Sequence, residues 1–440
     1  MVRSGRSGLS TDARLLIAGQ GVRAAGYGFT AVLLGALLAA RGYSHLLVGV
    51  VLTALIAGTA VASLATGAFG DRVGRRRLYA VFFTGIAAAG AVVAAGAPLW
   101  VLLVVALTGT LSTDVVDNGP ATTLEQAMLA AEDGGTARVY GYYNAAGAAA
   151  GALGALAVTI PGLARGGGVH AWLFVALVPV GLAGVVVARR LSPAVEAPVA
   201  VALPAGQAAR GWSRLGPSRP VVRRLSGLFA VDAGGSGLVT TGFLAYYLAA
   251  RYHVPVGRLG WLFFAIAVVQ AISVALAPRL ARRFGLVTTM VGTHLPSNLL
   301  LAAVAFAPSF TVAAALLVAR TTLSQMDVPT RQALVMTVVT PGERTGAAAV
   351  TNAARYTVRP AGPLVAGLVQ QIALGAPLVV AGAVKGGYDL ALWRWARHAG
   401  LAPAPQSAAR RVAYAGYRRA AAGGPAADRD AARPGPASQD

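Results

Sequence analysis

Apolar residues dominate twelve stretches of the chain, and each stretch is long enough to cross a lipid bilayer as a helix. A helical span needs roughly 20 mainly apolar residues, and windows of about 19 residues locate such segments. No stretch has the alternation of apolar and polar residues over ~10 positions that is typical of a membrane β-barrel. We therefore predict an all-α membrane protein with twelve transmembrane helices, spans 1 to 12, at 15–39, 46–69, 78–97, 99–124, 138–161, 170–188, 225–249, 258–278, 286–307, 309–329, 345–373 and 375–395.

The composition of the 440 residues supports the same class of protein. Apolar residues make up 56% of the chain and charged residues only 12%, with a mean hydropathy of +0.64. An ordinary soluble domain carries about 25% charged residues and a disordered chain is poor in apolar residues, so both classes are excluded. The chain has no cysteine and five scattered histidines, a pattern that favours neither a metal centre nor an enzyme. We expect no cofactor.

Basic residues give the chain a formal net charge of +22, and their distribution indicates its orientation. If the N-terminus is cytoplasmic, 28 of the 37 basic residues lie on the cytoplasmic side and four on the other. This asymmetry follows the positive-inside rule and predicts a multi-pass plasma-membrane protein with both termini in the cytoplasm. Because the charge is spread over many short loops, nucleic acid is not an expected partner.

Proline marks the boundary between two halves of the chain. Segment 191–224 contains five prolines and ends in arginines, which is typical of a connection outside the membrane. We predict an N-terminal six-helix bundle over 1–190, a cytoplasmic linker over 191–224 and a C-terminal six-helix bundle over 225–398. The remainder, 399–440, is rich in alanine, proline, arginine and glycine, and we expect it to be a disordered cytoplasmic tail.

The two halves resemble each other at an offset of 206–211 residues. The matching segments include Arg14-Leu15 with Arg224-Leu225 and Gln126-Ala127 with Gln332-Ala333. Parallel repeats of this kind occur in secondary transporters, which bind substrate near the membrane midplane between the repeats. The chain is therefore predicted to form two six-helix pseudo-repeats around a central site.

The loop between spans 2 and 3 carries the most specific pattern in the chain. It reads Gly67-Ala-Phe-Gly-Asp71-Arg72-Val-Gly74-Arg75-Arg76. This sequence resembles the loop signature of the major facilitator superfamily, with a mild departure at residues 69–70. The resemblance covers roughly residues 10–395. It implies a transporter in which two six-helix bundles rock about a central site, and it names no substrate.

The same resemblance implies a latch that closes the cytoplasmic side. Asp71 is expected to accept backbone N–H bonds at the start of span 11, where the helix dipole is positive. Arg75 is expected to pair with Glu125 at the cytoplasmic end of span 4. The alternative is that the basic residues of the loop only fix the topology. The predicted gating residues of this loop are Gly67, Asp71, Arg72, Gly74 and Arg75.

A second gate element is predicted where span 10 ends. Asp327 and Arg331 flank Pro329, so charges and a helix-breaking residue occur together. We interpret the pair as gating residues, and a structural helix cap is an equal alternative.

Ionisable side chains inside a span cost roughly 2.5–3.5 kcal/mol on insertion scales, so each is a candidate for function. Counting ~1.5 Å per residue from the start of each span puts five of them near the midplane. Asp232 is the lone carboxylate among the five and is the predicted proton carrier. Arginine binds carboxylate or phosphate in a two-pronged fork, so an anionic substrate is favoured. The predicted substrate-binding residues are Arg23, Arg320, Arg355 and Lys385.

The alternative is that these charges neutralise one another within the protein. Lys385 and Asp389 are four residues apart, a spacing that places both on one helix face. His294 in span 9 is expected to be a core histidine. Under this interpretation the buried charges have no role in transport.

Together these features favour secondary active transport of a small organic solute by alternating access. Proton-coupled efflux is the expected mode, because the chain is similar to drug-export members. The alternatives are a uniporter or uptake carrier for an organic anion, and a non-transporting membrane sensor with the same fold. The expected partners are the small-molecule substrate, protons and the lipid bilayer, and the expected state is a monomer.

Overall fold

A computed structural model describes residues 9–113, 119–133, 137–160, 169–196, 212–213 and 215–399. These residues form sixteen α-helices and contain no β-strand. The helices of the first half are α1 (Thr11–Ala40), α2 (His45–Val73), α3 (Arg75–Ala94), α4 (Leu99–Leu107), α5 (Pro120–Asp133), α6 (Ala137–Ala157) and α7 (Leu177–Arg190). Those of the second half are α8 (Arg219–Leu238), α9 (Thr241–Tyr252), α10 (Val256–Phe284), α11 (Leu286–Val304), α12 (Phe310–Ser324), α13 (Asp327–Val338), α14 (Arg344–Val358), α15 (Gly362–Val369) and α16 (Ala376–His398).

The all-α fold is confirmed, and within the described residues helices lie at the positions of the predicted spans. Spans 4, 7 and 10 each consist of two helices, α4 with α5, α8 with α9 and α12 with α13. Span 11 consists of α14 and α15, joined by a 3-10 turn at Arg359–Ala361. Within the described residues, seven helical segments are long and apolar enough to cross a membrane on their own.

Serine and threonine side chains begin four of the helices. Each accepts a hydrogen bond from the backbone N–H three residues later, and they are Ser10 at α1, Ser44 at α2, Thr240 at α9 and Ser309 at α12. Such a cap satisfies one of the donors that a first helical turn leaves unpaired and contributes typically about 1 kcal/mol. The cap at Thr240 allows span 7 to break after α8 and to start again as α9.

Single glycines form the turns that follow α2 and α10. Gly74 has φ +96° and Gly285 has φ +87°, a backbone region that favours glycine. Each donates its N–H to the carbonyl four residues before it, so one helix ends and the next begins within a single residue. The two glycines lie 211 residues apart, within the repeat offset, and the turn is the same in both halves.

The halves pack against each other at the face opposite the start of α1, which we call the outer face. His45 Nδ1 lies 2.8 Å from the hydroxyl of Tyr246 in the other half. Glycines allow the backbones to approach closely here. A Cβ built on Gly49 would lie 2.5 Å from the carbonyl oxygen of Pro363, and one on Gly260 would lie 2.9 Å from that of Ala155.

The opposite end, where α1 begins and the two glycine turns lie, is the terminal face. Here α5 packs on α1, α2 and α3 of its own half, and α13 packs on α10, α11 and α14 of the other half. Among the described residues, the close backbone contacts between the halves at Gly49 and Gly260 lie at the outer face.

We expect Gly49→Leu to separate the halves at the outer face, because the new side chain has no space beside Pro363. An overpacked contact costs about 1–3 kcal/mol, which corresponds to a population shift of about 5–150-fold. We call the contact between the halves at the outer face the outer seam. The measurement is maleimide labelling of Leu52→Cys, a position that is 1% exposed and lies next to Gly242 across this seam. The chain has no native cysteine, so this label is specific.

The matched control is Gly141→Leu, because a Cβ at Gly141 meets nothing within 4 Å. Equal labelling rates in Gly49→Leu and in this control would contradict the assignment of the seam.

Candidate functional site

A buried ion pair ties together four spans of the first half. Arg23 Nη2 lies 2.8 Å from Oε2 of Glu125, and the two residues are 1% and 0% exposed. The hydroxyl of Tyr79 donates to Oε1 of Glu125 at 2.7 Å, and that of Tyr143 donates to Oε2 at 2.5 Å. These residues come from α1, α3, α5 and α6. We call Arg23, Tyr79, Glu125 and Tyr143 the N-half cluster.

Arg23 has further partners within the same half. Its Nη2 donates to the hydroxyl of Thr122 at 2.8 Å and to the side-chain oxygen of Gln20, and its guanidinium lies 5.4 Å from the ring centre of Tyr27. A buried charge is tolerated when it is paired and hydrogen-bonded. In this conformation both oxygens of Glu125 and the charge of Arg23 are satisfied inside the bundle.

A second cluster of charges surrounds Asp232 in the other half. Lys385 Nζ donates to Oδ1 of Asp232 at 2.6 Å and to the hydroxyl of Ser236 at 2.7 Å. Arg331 Nη1 lies 3.5 Å from Oδ2 of Asp232 and 2.8 Å from Oδ2 of Asp327. All four charged residues are buried. Arg331 thus bridges the two carboxylates. Lys385 lies closer to Asp232 than Arg331 does.

His294 extends this cluster toward α16. Its Nδ1 lies 2.8 Å from Oδ1 of Asp389, and its Nε2 lies 4.0 Å from Oδ1 of Asp232. The side-chain amide of Asn298 donates to Oδ2 of Asp389 at 2.8 Å. We call Asp232, His294, Asp327, Arg331, Lys385 and Asp389 the C-half cluster.

The two clusters contain matching ion pairs with exchanged charges. Asp232 follows Arg23 by 209 residues and Arg331 follows Glu125 by 206, both within the repeat offset. Spans 1 and 4 therefore carry a cation and an anion at the positions where spans 7 and 10 carry an anion and a cation. Each half neutralises its own pair.

Arg320 and Arg355 are half-buried cations near the C-half cluster. Among the described residues neither guanidinium has an ion-pair partner, and Nε of each has no hydrogen-bond partner. Arg320 interacts electrostatically with Asp327, and Arg355 interacts with Asp232, Asp327 and Arg331. Both arginines are available to an anion.

We compared the chain with known protein families. A model of the Major Facilitator Superfamily matches residues 16–363.

The chain belongs to the major facilitator superfamily.

An uncharacterized membrane protein of Saccharomyces cerevisiae is 26% identical over 394 residues, which cover 82% of this chain and 88% of the yeast protein. A mutant of the nucleoside transporter NupG has the same fold, with a TM-score of 0.70 and 13% identity over 87% of this chain and 98% of that one. A D-xylose–proton symporter matches with a TM-score of 0.64 and 15% identity over 87% and 97%. This superfamily member is a multi-pass membrane protein with the fold of a small-molecule transporter.

The predicted ion pair between Arg75 and Glu125 is wrong for the conformation that the structure shows. Nη1 of Arg75 donates to the carbonyl of Val195 at 3.2 Å, whereas Glu125 is held by the N-half cluster. The prediction ended span 4 at residue 124, but α5 continues to Asp133. Glu125 therefore lies roughly 12 Å inside the end of the helix, at ~1.5 Å per residue.

Span 10 also continues beyond its predicted end. Asp327 and Arg331 were expected at the end of this span, but they lie in the first turns of α13, which runs on to Val338. The helix does break just before Asp327, where α12 stops at Ser324. The pair is a buried element of the C-half cluster, not a terminal one.

The other gating residues lie around the turn after α2. Gly74 makes the turn itself and Arg72 is exposed at the end of α2. Gly67 and Asp71 belong to α2, but their side-chain environment is outside the described part of the chain, so the predicted contact of Asp71 with span 11 stays a prediction.

Two glutamates outside the spans anchor the ends of the connection between the halves. Glu196 accepts the backbone N–H groups of Arg75 and Arg76 at 2.7 and 2.9 Å, which satisfies donors at the start of α3. Glu343 accepts the N–H groups of Gly216 and Ser218, just before α8. Hydrogen bonds from Ser218 and from the backbone of Gly216 hold the pKa of Glu343 below its usual value. Neither glutamate was singled out by the sequence.

His294 is the functional candidate that sequence reasoning underestimated. It is buried, as expected of a core histidine, but both of its ring nitrogens face carboxylates. The available signal was its spacing from Asn298, since residues four apart place two polar side chains on one face of the span.

Proposed function

We propose that this superfamily member is a proton-coupled secondary transporter for a small organic anion, and that Asp232 is the coupling carboxylate. The observation that carries the proposal is the pair of Asp232 with Lys385 at 2.6 Å, near Arg320 and Arg355, for which the described residues supply no ion-pair partner. We further propose that the chain works as a monomer in the plasma membrane with its termini in the cytoplasm. With this orientation the contacts of the outer face lie on the far side of the membrane, and alternating access requires them to part.

A proton on Asp232 removes the charge that holds Lys385. The ammonium group is then an uncompensated cation in a buried site, which is costly unless another anion approaches. An anionic substrate supplies that charge. Proton binding and anion binding at this cluster therefore support each other.

This linkage bears on the direction of transport. Two ligands that favour each other's binding move together, and an inward proton gradient then drives uptake of the anion. Efflux by proton exchange, the direction expected from the sequence, requires instead that the proton displaces the substrate. Because of the Lys385–Asp232 pair, we propose proton-coupled uptake as the second candidate function. An imposed pH gradient of either sign distinguishes uptake from efflux.

We propose Arg320 and Arg355 as the first contacts of the anion, with Lys385 joining them when Asp232 is protonated. Arg23 would contact substrate only in a conformation that separates it from Glu125. The gating roles of Gly67, Asp71, Arg72, Gly74, Arg75, Asp327 and Arg331 likewise remain proposals.

The proposed function is tested by flux into vesicles that contain the purified protein. A panel of organic anions, sugars and nucleosides is offered under a pH gradient, with and without a protonophore. We expect accumulation of at least one organic anion that the protonophore abolishes. Protein-dependent equilibration of an anion without accumulation, unchanged by the protonophore, indicates a uniporter. No protein-dependent flux of any solute indicates a non-transporting sensor.

We expect Arg320→Gln and Arg355→Gln each to raise the apparent KM for the anion about 10–150-fold. A hydrogen bond to a charged group contributes about 1.5–3 kcal/mol, and glutamine removes the charge while keeping donors. The measurement is initial uptake against anion concentration.

The matched control for these variants is Arg344→Gln, an exposed arginine at the start of α14, which should keep the native KM. An unchanged KM in both Arg320→Gln and Arg355→Gln would remove these residues from the binding site.

A further inference from the structure

The side chains of His294 and Lys385 both face the same oxygen of Asp232, Oδ1. Lys385 Nζ lies 2.6 Å from Oδ1, and His294 Nε2 lies 4.0 Å from that atom. The first distance is a short charge-assisted hydrogen bond, and the second is too long for one. The ammonium group therefore occupies the position that the imidazole would need to reach the carboxylate.

The hydrogen bonds of Asp389 determine which way the imidazole presents its lone pair. An ionised carboxylate only accepts hydrogen bonds, so Nδ1 of His294, at 2.8 Å from Oδ1 of Asp389, carries the proton of that contact. Asn298 donates to Oδ2 of the same carboxylate. In a neutral imidazole the other nitrogen is then an acceptor, and Nε2 faces Asp232.

We propose that His294 exchanges the coupling proton with Asp232, and that Asp389 and Asn298 are positioning residues which hold the imidazole for this step. The inference rests on the proposed function. When Lys385 leaves Oδ1, Nε2 moves into its place. The O–H bond of protonated Asp232 breaks, an N–H bond forms at Nε2, and the electron pair stays on the carboxylate.

The products of this step are stabilised by groups already in place. The imidazolium is held by the carboxylate of Asp389, and the restored charge of Asp232 attracts Lys385 back to Oδ1. Lysine and proton thus alternate on one oxygen, and His294 stores the proton while the lysine is bound. This role accounts for a histidine that lies between two carboxylates inside a span.

The charges around His294 favour coupling to an anion. Asp232 from α8 and Tyr388 and Asp389 from α16 lie around His294. Lys385 from α16 and Arg331 from α13 pair with Asp232, and Arg331 also pairs with Asp327 from α13. Arg320 from α12 and Arg355 from α14 interact electrostatically with Asp327. Three carboxylates stand against four cations, so a proton on His294 increases an existing positive excess. An anion at Arg320 and Arg355 offsets that excess.

The experiment compares His294→Gln with the native protein in proton-driven accumulation and in substrate counterflow without a pH gradient. Glutamine can still hydrogen-bond to Asp389 but cannot take a proton. We expect driven accumulation to fall at least about tenfold while counterflow continues. The pH dependence of driven transport should change as well.

The matched control is His398→Gln, an exposed histidine at the end of α16 that lies outside the cluster. Asn298→Ala is the second variant, because it removes a donor from Asp389 and leaves His294 in the chain. We expect it to shift the pH midpoint of driven transport without abolishing transport.

The outcomes separate the inference from the proposed function. A native protein without any proton-driven flux overturns the proposed function itself. If the native protein is proton-driven and His294→Gln keeps its full accumulation and pH profile, the role of His294 is overturned alone. A parallel loss of driven transport and counterflow in His294→Gln, with an unshifted pH midpoint in Asn298→Ala, indicates a structural histidine and also overturns it.

Discussion

Asp232→Asn is expected to abolish proton-driven accumulation of substrate, with a loss of at least about tenfold relative to the native protein. Asparagine has nearly the same shape as aspartate, but its side chain cannot take up or release a proton at physiological pH. Substrate counterflow needs no proton and is expected to persist. The measurement is accumulation in vesicles under an imposed pH gradient, followed by counterflow in the same preparation.

The control for this prediction also removes the charge of Lys385, which Asp232→Asn leaves without its partner. Removing one partner of a buried ion pair costs about 3–5 kcal/mol, so Asp232→Asn alone leaves Lys385 uncompensated. The double variant Asp232→Asn with Lys385→Met removes both charges and should recover stability but not proton coupling. Full proton-driven transport in either variant would eliminate Asp232 as the coupling group.

Arg23→Met is expected to give the largest loss of stability in the first half of the protein. It leaves Glu125 ionised and buried without its cation, at a cost of about 3–5 kcal/mol. We expect the apparent melting temperature in detergent to fall by on the order of 10 °C. The double variant Arg23→Met with Glu125→Gln should recover most of the loss, because no unpaired charge remains.

Two tyrosines provide a matched pair of milder variants for the same cluster. Tyr79→Phe removes a donor to buried Glu125 and should cost about 1–3 kcal/mol. The hydroxyl of Tyr140 donates to the carbonyl of Gln126 at an exposed contact, so Tyr140→Phe should change the melting temperature little. If Arg23→Met melts like the native protein but raises the KM, Arg23 is a substrate contact and not part of a scaffold.

The sequence was sufficient for the all-α fold and the family, because these depend on patterns that extend along the chain. Within the described residues, helices lie at the apolar windows, and the two glycines of the equivalent turns are separated by the repeat offset. The ends of spans 4 and 10 were predicted too early. Glu125 and Arg331 lower the local hydropathy, but their partners inside the same half allow α5 and α13 to continue as buried helices.

The partners of the charges could not be predicted from spacing along one helix. Lys385 and Asp389 share a helix face, yet Lys385 binds Asp232 on α8 and Asp389 binds His294 on α11. Which residue on a neighbouring helix is in reach depends on how each helix is rotated about its axis, and packing of the whole bundle determines that rotation. The repeat was the one available guide, since it relates Arg23 and Glu125 to Asp232 and Arg331.

The exchanged ion pairs have a consequence for the energetics of opening. Since every counter-ion stays in its own half, turning one bundle relative to the other pulls no opposite charges of these pairs apart. The barrier to parting the seam is then set by the close glycine contacts at Gly35, Gly49 and Gly260 and by the hydration of the surfaces they expose. The opening rate should accordingly respond strongly to temperature and little to ionic strength.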